Sequence, residues 1–416
     1  ALRGPRFDGG EFVAAAHAAG AAGAVVSAQE KTPLAQILVA DTQAALTGAA
    51  MRWRAAFDRP LIGVAGSNGK TTVKEMTAAI LGQAGTCLAT RGNLNNHIGV
   101  PVTLLRLDPS HRFAVIEMGA NHAGEIAALV RVARPTIGII TNAGAEHLEG
   151  FGSLEGVARA EGETVEGLAP EATAVINADD PFADLWRGLT RARAVTFGVV
   201  HPSDFGAENL RSEIGVTGFV TRFELVCPIG RREIELHLAG RHNVVNALGA
   251  AAAAVAAGAT LEHVATGLAS MRAVQGRLQF RLARSGAWII DDSYNANPSS
   301  MRAGIDVLAD LSGRRWLVMG DMAELGAFAE DSHAEIGAYA RERGIERLFA
   351  TGKLAGLAVE SFGAGAQWYP DTESLAQALD ASVSRDVRLL VKGSRVNRLE
   401  RVVDALAAVS TGRKAG

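Results

Sequence analysis

Cysteine is almost missing. Cys87 and Cys227 are the only two in 416 residues, far apart and without the spacing of metal ligands. That argues against a disulfide framework and fits a reducing, cytoplasmic setting. Long apolar runs are missing too. The Ala-rich stretch 250–257 is bracketed by Gly249 and Gly258 and is far too short to span a bilayer, and no signal peptide is visible. Charge of one sign is not concentrated anywhere: Lys and Arg number 41 against 44 Asp and Glu, a net charge of -3 without long like-charge blocks. Neither a nucleic-acid footprint nor a disordered tail is indicated, so an anionic substrate would have to meet local positive charge. No repeat of solenoid period is present. No Gly-x-Gly-x-x-Gly follows a strand with an acidic residue some twenty positions on, which removes a dehydrogenase reading. The chain opens on Ala1 and an early Gly4-Pro5 turn rather than on Met, so a missing natural start is expected.

What is present is length and a 48% hydrophobic content, enough for two or three domains with proper cores. Residues 1–58 read as a small α/β piece, ending in a helix on which Leu46, Ala49, Ala50, Trp53 and Phe57 share a face. From Leu61 to about 272, short apolar runs alternate with helical patterns, the signature of a parallel sheet covered by helices. The runs 222–227 and 233–238, joined by Pro228-Ile229-Gly230, read as a hairpin at the edge of that sheet. Near Met271 to Arg277 the pattern resets, and a second alternating series over 273–416 reads as a separate Rossmann-like domain. The fold class is α/β, divided at 1–58, 59–272 and 273–416.

The centre of the chain is Leu61-Ile62-Gly63-Val64-Ala65-Gly66-Ser67-Asn68-Gly69-Lys70-Thr71-Thr72, followed by Val73, Met76, Thr77, Ile80 and Leu81 on one helical face. This is strand, Gly-rich loop, helix. Gly66 and Gly69 let the backbone approach a phosphate, the helix start offers unpaired N–H groups, and Lys70 reaches outer phosphates. Thr71 or Thr72 can hold Mg2+ through its hydroxyl. Val64 stands where the usual pattern has its first glycine, so the loop is a variant; the bland alternative is a Gly-rich turn that merely caps a helix.

Ligands of open α/β sheets gather at the carboxyl ends of strands. Glu117-Met118-Gly119, Thr141-Asn142 and Glu146-His147 stand in such places, and a carboxylate with an imidazole near a P-loop threonine suits magnesium. Asn93, Asn95 and Asn96 supply paired donors and acceptors for a polar substrate, or else form an Asx-rich turn. Asn243 either contacts a ligand or caps the Ala-rich helix. Asp291-Asp292-Ser293-Tyr294-Asn295-Ala296-Asn297-Pro298 and Gly393-Ser394-Arg395 repeat the strand-end placement in the last domain.

Taken together, Gly66 to Thr72, Gly92-Asn93-Leu94-Asn95-Asn96, Glu117-Met118-Gly119, His242-Asn243, Gly276-Arg277, Asp292 to Pro298 and Lys392-Gly393-Ser394-Arg395 resemble the Mur ligase family over the whole chain. The Ser293 to Pro298 run points to the branch that adds D-alanyl-D-alanine. The resemblance implies an N-terminal domain that grips UDP-N-acetylmuramoyl-tripeptide, a central P-loop ATPase domain, and a C-terminal Rossmann-like domain that closes over ATP and the amine. It implies a monomeric ADP-forming ligase of peptidoglycan synthesis, working through an acyl phosphate. Carried over by position, Gly66, Ser67, Asn68, Gly69, Lys70, Thr71 and Thr72 would bind ATP with Asn243, Arg277 and Asp292. Thr71, Glu117, His147 and Glu161 would serve Mg2+, and Lys70, Glu117, His147 and Glu161 form the catalytic set. Asn93, Asn95, Asn96 and Thr141 would face the sugar-peptide; Asn295, Asn297, Asp321, Glu324 and Arg395 would lie near the amine.

Two departures carry expectations. Where the family commonly has a CO2-carbamylated lysine as an anionic magnesium ligand, this chain has Glu161, which should supply a carboxylate without bicarbonate. The family's preceding segment, which helps form the uridine pocket, is lacking here, so ATP binding should survive while affinity for the UDP-tripeptide falls. The rivals are another amide ligase of the superfamily, of the third-amino-acid-adding or folylpolyglutamate type, and a nucleotide switch that ligates nothing.

Overall fold

The computed structural model describes residues 1–4, 7–144, 148–215, 218–272 and 276–408. The first part is slight. A parallel pair, Gly23–Val26 (β1) and Ala35–Leu38 (β2), precedes helix α1 (Thr42–Ala55), whose N-cap Asp41 accepts from the Gln43 and Ala44 amides. The apolar face expected for α1 packs only in part: Ala50 is buried and Phe57 lies against the same core, while Trp53 is 49% exposed and the charged Arg54 is buried in its place. The Arg54 guanidinium donates to the carbonyls of Phe57, Ala133 and Arg134, one bond from each of its nitrogens, and these bonds are what admit a charged fork to the interior.

Six strands form the central sheet: β3 (Leu61–Ala65), β4 (Cys87–Ala89), β5 (Phe113–Glu117), β6 (Ile137–Ile140), β7 (Thr173–Asn177) and β8 (Arg193–Phe197). Their order is β8-β7-β6-β3-β5-β4 and every pairing is parallel. Every residue of β3, β5 and β6 is buried, which is why these strands read as continuous apolar runs rather than alternations. Helices α2 (Lys70–Ala84), α3 (Glu125–Ala133), α4 (Leu154–Glu166), α5 (Arg241–Ala256) and α6 (Leu261–Ser270) cover the two faces. The Ala-rich run proves to be a core element, since Ala250 to Ala254 of α5 are buried beside Ile139 and Phe197. Among the described residues, no helix is long and apolar enough to cross a membrane.

The expected edge hairpin exists but is not an extension of the parallel sheet. β9 (Gly206–Gly215), β10 (Gly218–Cys227) and β11 (Gly230–Leu236) form an antiparallel sheet of their own. β9 escaped the sequence reading because Glu208, Arg211, Ser212 and Glu213 are exposed and leave no apolar alternation to read.

The second large sheet contains β12 (Gln279–Leu282), β13 (Trp288–Asp292), β14 (Arg314–Met319), β15 (Arg347–Thr351), β16 (Ala366–Tyr369) and β17 (Val387–Lys392), in the order β12-β13-β17-β14-β15-β16. Only β12 runs antiparallel. β17 is inserted between β13 and β14, so Asp292 and Lys392 end as direct neighbours. Helices α7 (Pro298–Ala309), α8 (Ala329–Glu342) and α9 (Ala355–Phe362) pack on this sheet.

Candidate active site

β3 delivers the chain into the loop 66–69, and α2 begins at Lys70. Gly66 has φ +124°, and a Cβ there would stand 2.1 Å from Thr141 Oγ1; Gly69 has φ +83°, and its Cβ would meet Asn246 Oδ1 at 2.5 Å. Only glycine serves at either place. Gly69, the N-cap of α2, offers no side-chain cap, so the first amides of the helix remain available to an anion. The loop is fixed from outside. Ser67 N donates to Asn142 O (2.9 Å), Asn68 N to Asn142 Oδ1 (2.9 Å), and Thr141 Oγ1 and Asn142 Nδ2 donate to Asn68 O (2.6 and 2.9 Å). Gly66 N donates to Glu161 Oε2 at 2.7 Å. Lys70 Nζ lies back over the loop, donating to the Gly66 and Ser67 carbonyls.

Glu117 ends the neighbouring strand β5 and is only 2% exposed. Its Oε1 accepts from Asn95 Nδ2 at 2.9 Å, whereas its buried Oε2 has no hydrogen-bond partner among the described residues. A buried carboxylate oxygen left in this way costs free energy that a cation would offset. Behind it, the fully buried Lys74 donates to Thr90 O (2.9 Å), and Thr90 Oγ1 accepts from Glu117 N (3.0 Å). Among the described residues, no group of three His, Cys, Asp or Glu side chains is arranged to hold a metal by itself. A threonine hydroxyl, Glu117 and substrate phosphate oxygens would offer a magnesium ion a donor set that suits it. His147 lies outside the described residues.

The other wall comes from the second sheet. Lys392 Nζ sits 2.6 Å from Asp292 Oδ2 and donates to Asn295 O at 2.9 Å, while Leu278 N donates to Asp292 Oδ1 at 3.1 Å. The Arg277 guanidinium lies 4.6 Å from the Tyr294 ring centre. Burial pushes the His242 imidazole down to about 4, against the opposing pull of Asp292 and Asp306. A neutral ring results, and its Nε2 lies 3.2 Å from Asn243 Nδ2. Asn243 is no cap: it lies inside the first turn of α5, with Nδ2 donating to Ala239 O at 2.7 Å. Between the two walls is a cavity of about 560 Å³, reached by Ser67 to Thr72, Asn93, Asn95, Glu117, Asn243, Arg277, Asp292, Asn295 and Asn297.

Residues 64–254 match the Mur ligase middle domain, and residues 276–395 match the Mur ligase glutamate ligase domain. The chain belongs to the Mur ligase family.

This Mur ligase is similar to the UDP-N-acetylmuramoyl-tripeptide--D-alanyl-D-alanine ligase of Escherichia coli strain K12, 44% identical over 410 residues that cover 98% of this chain and 90% of the relative. Among solved structures, MurF from Acinetobacter baumannii superimposes with a TM-score of 0.90 at 34% identity, over 97% of this chain and 89% of that one. MurF from Thermotoga maritima in complex with ADP gives 0.86 at 27%, over 97% and 92%.

Several residues expected at the site of this Mur ligase stand elsewhere. Glu161 does not line the cavity; it lies under the loop, buried on α4. Thr141 serves the loop through its hydroxyl, and Asn96 Oδ1 accepts from the Ile98 and Gly99 amides, as an Asx turn does. The Asp321 carboxylate accepts from the amides of Lys353, Leu354 and Ala355 at the start of α9, and Glu324 holds a turn at φ +64°. Arg395 joins Arg398 and Arg401 in a separate open depression, 5.9 Å from the Tyr294 ring centre. Conversely, Asn142, His242, Tyr294 and Lys392, which the motifs include without a role, line the cavity, as does Asn246, which no motif includes. Lys392 was within reach of the strand-end rule, because it closes the apolar run of β17.

Proposed function

We propose that this Mur ligase joins D-alanyl-D-alanine to UDP-N-acetylmuramoyl-tripeptide, consuming ATP and releasing ADP and phosphate. The observation that carries the proposal is the cavity between the P-loop and the carboxyl edge of the second sheet, lined by Glu117, whose Oε2 has no partner among the described residues. The 44% identity to a ligase of this name supports the choice of substrates. In this reading, residues 1–58 serve the UDP-sugar, 59–272 the ATP and 273–416 the incoming amine.

A free carboxylate is a poor electrophile, so the tripeptide carboxylate first takes the γ-phosphoryl group of ATP; the dipeptide amine then attacks the acyl carbon and phosphate leaves. The loop amides, the α2 N-terminus and Lys70 hold the phosphates. Thr71 and Glu117 would hold magnesium, which supplies neutralisation of the phosphate charge. Asn95 fixes the Glu117 carboxylate by its hydrogen bond, Asn93 offers the sugar-peptide an amide, and Asp292, held by Lys392, faces the nucleotide with Arg277. Glu161 acts through the loop, by fixing the Gly66 amide. Such a site works by positioning and charge neutralisation rather than by a covalent enzyme intermediate.

The test is phosphate release by the purified chain given ATP, magnesium and UDP-MurNAc-tripeptide, with and without D-Ala-D-Ala, together with mass analysis of the nucleotide product. Release that requires the dipeptide, with formation of the pentapeptide, is expected. Release without ligation, or none with all substrates present, would defeat the proposal.

A further inference from the structure

Asn68 of the P-loop and the N-terminus of α7 are joined by a closed ring of hydrogen bonds. Asn297 Nδ2 donates to Asn68 Oδ1 (2.8 Å), Asn68 Nδ2 donates to Ser299 Oγ (2.9 Å), and Ser299 Oγ donates to Asn297 Oδ1 (3.0 Å). The direction of the ring is forced. Asn297 is the N-cap of α7 and must turn Oδ1 to the Ser300 amide (2.8 Å), which points its Nδ2 outward and requires an oxygen from Asn68. The main chain of Asn68 is held as firmly by Thr141 and Asn142 at the end of β6. Gly144 leaves the room, since a Cβ there would stand 2.8 Å from Asn68 Nδ2 and 2.9 Å from Ser299 Oγ.

We propose that Asn68 and Asn297 are positioning residues forming a latch that docks the C-terminal sheet onto the phosphate loop and couples that docking to turnover. The inference rests on the ligase reading and adds a device to it. The phosphate cradle of loop amides and Lys70 belongs to the central sheet alone, so losing the latch should leave nucleotide binding largely in place and slow the step that needs both walls. Two ordinary hydrogen bonds between the sheets correspond to about a tenfold effect.

Asn297→Ser separates latch from cap, because serine still caps a helix but cannot reach Asn68. The full chain is compared with Asn297→Ser, Asn297→Ala, Asn68→Ala and the double variant Asn68→Ala/Asn297→Ser. The latch predicts that both Asn297 variants, which lose one of the two bonds, lose kcat about equally, roughly threefold, that Asn68→Ala, which loses both, falls roughly tenfold, that ADP affinity changes less than about threefold, and that the double variant is no worse than Asn68→Ala. Small-angle scattering should show the Asn297→Ser chain more extended than the parent. A cap-only role predicts that Asn297→Ala is impaired while Asn297→Ser is not, and that result, or unchanged scattering, overturns the latch. A parent chain that makes no pentapeptide would defeat the ligase reading instead, and scattering would still decide the latch.

Discussion

Glu161 Oε2 accepts the Gly66 amide proton at 2.7 Å, binding α4 to the first residue of the phosphate loop. A loop that must present its other amides to phosphate has one of them committed to a buried carboxylate. Removing that acceptor leaves a buried N–H unpaired, at a cost of about 1–3 kcal/mol. Glu161→Ala is expected to weaken ADP binding about tenfold or more, and Glu161→Gln less, since its amide oxygen can still accept. Isothermal titration checks this; equal affinities in all three chains would contradict it. Activity should be unchanged when bicarbonate is removed from the assay, as a carboxylate side chain needs no CO2 to become anionic.

Glu117 presents a buried oxygen without a partner among the described residues, so its burial opposes folding while it serves the site. Glu117→Gln should keep the Asn95 contact and leave the thermal midpoint equal or higher. The same variant should lower kcat by about a hundredfold or more and raise the magnesium concentration needed for half-maximal rate. A fall in midpoint with normal turnover would show that Glu117 is a packing residue.

The Lys392–Asp292 pair is buried on both sides, with side chains 3% and 13% exposed. Lys392→Met strands the Asp292 carboxylate, and a loss of about 3–5 kcal/mol in urea unfolding is expected. Adding Asp292→Asn should recover much of that stability without restoring ligation, which separates the fold's need for neutrality from the site's need for the charges.

His242 should make stability depend on pH. Its folded value, about 4, lies below the unfolded 6.5, so the unfolded chain binds more protons between these limits. Its contribution is fully present above pH 6.5 and is lost as pH falls towards 4. His242→Asn should flatten this part of the profile, while the buried His333, also shifted down by burial, retains its own share. Urea midpoints measured between pH 4 and 7 provide the check; parallel profiles for the two chains would count against it.

Much of the site was legible because its residues follow local rules. Lys70, Thr71, Glu117, Asp292 and Asn297 all stand just beyond apolar runs, where a parallel sheet presents its strand ends. α1 was read only in part for the opposite reason: a buried Arg54 depends on carbonyls 79 and 80 positions away, which no helical period announces. Thr141, Asn96 and Asp321 carry the right chemistry at the right kind of place, yet their polar atoms are used by neighbouring backbone.

By itself, the sequence determined the strand-loop-helix at Gly66 to Thr72, the two alternating series and the strand-end chemistry, because each depends on spacing within a few residues. Tertiary structure decided which of those groups meet. Asn68 and Asn297 are 229 positions apart, and Gly66 and Glu161 are 95 apart. Whether a carboxylate is left open, as at Glu117, or spent on an amide, as at Glu161 and Asp321, depends on what the topology brings within 3 Å, since a buried polar atom takes whichever partner packing delivers.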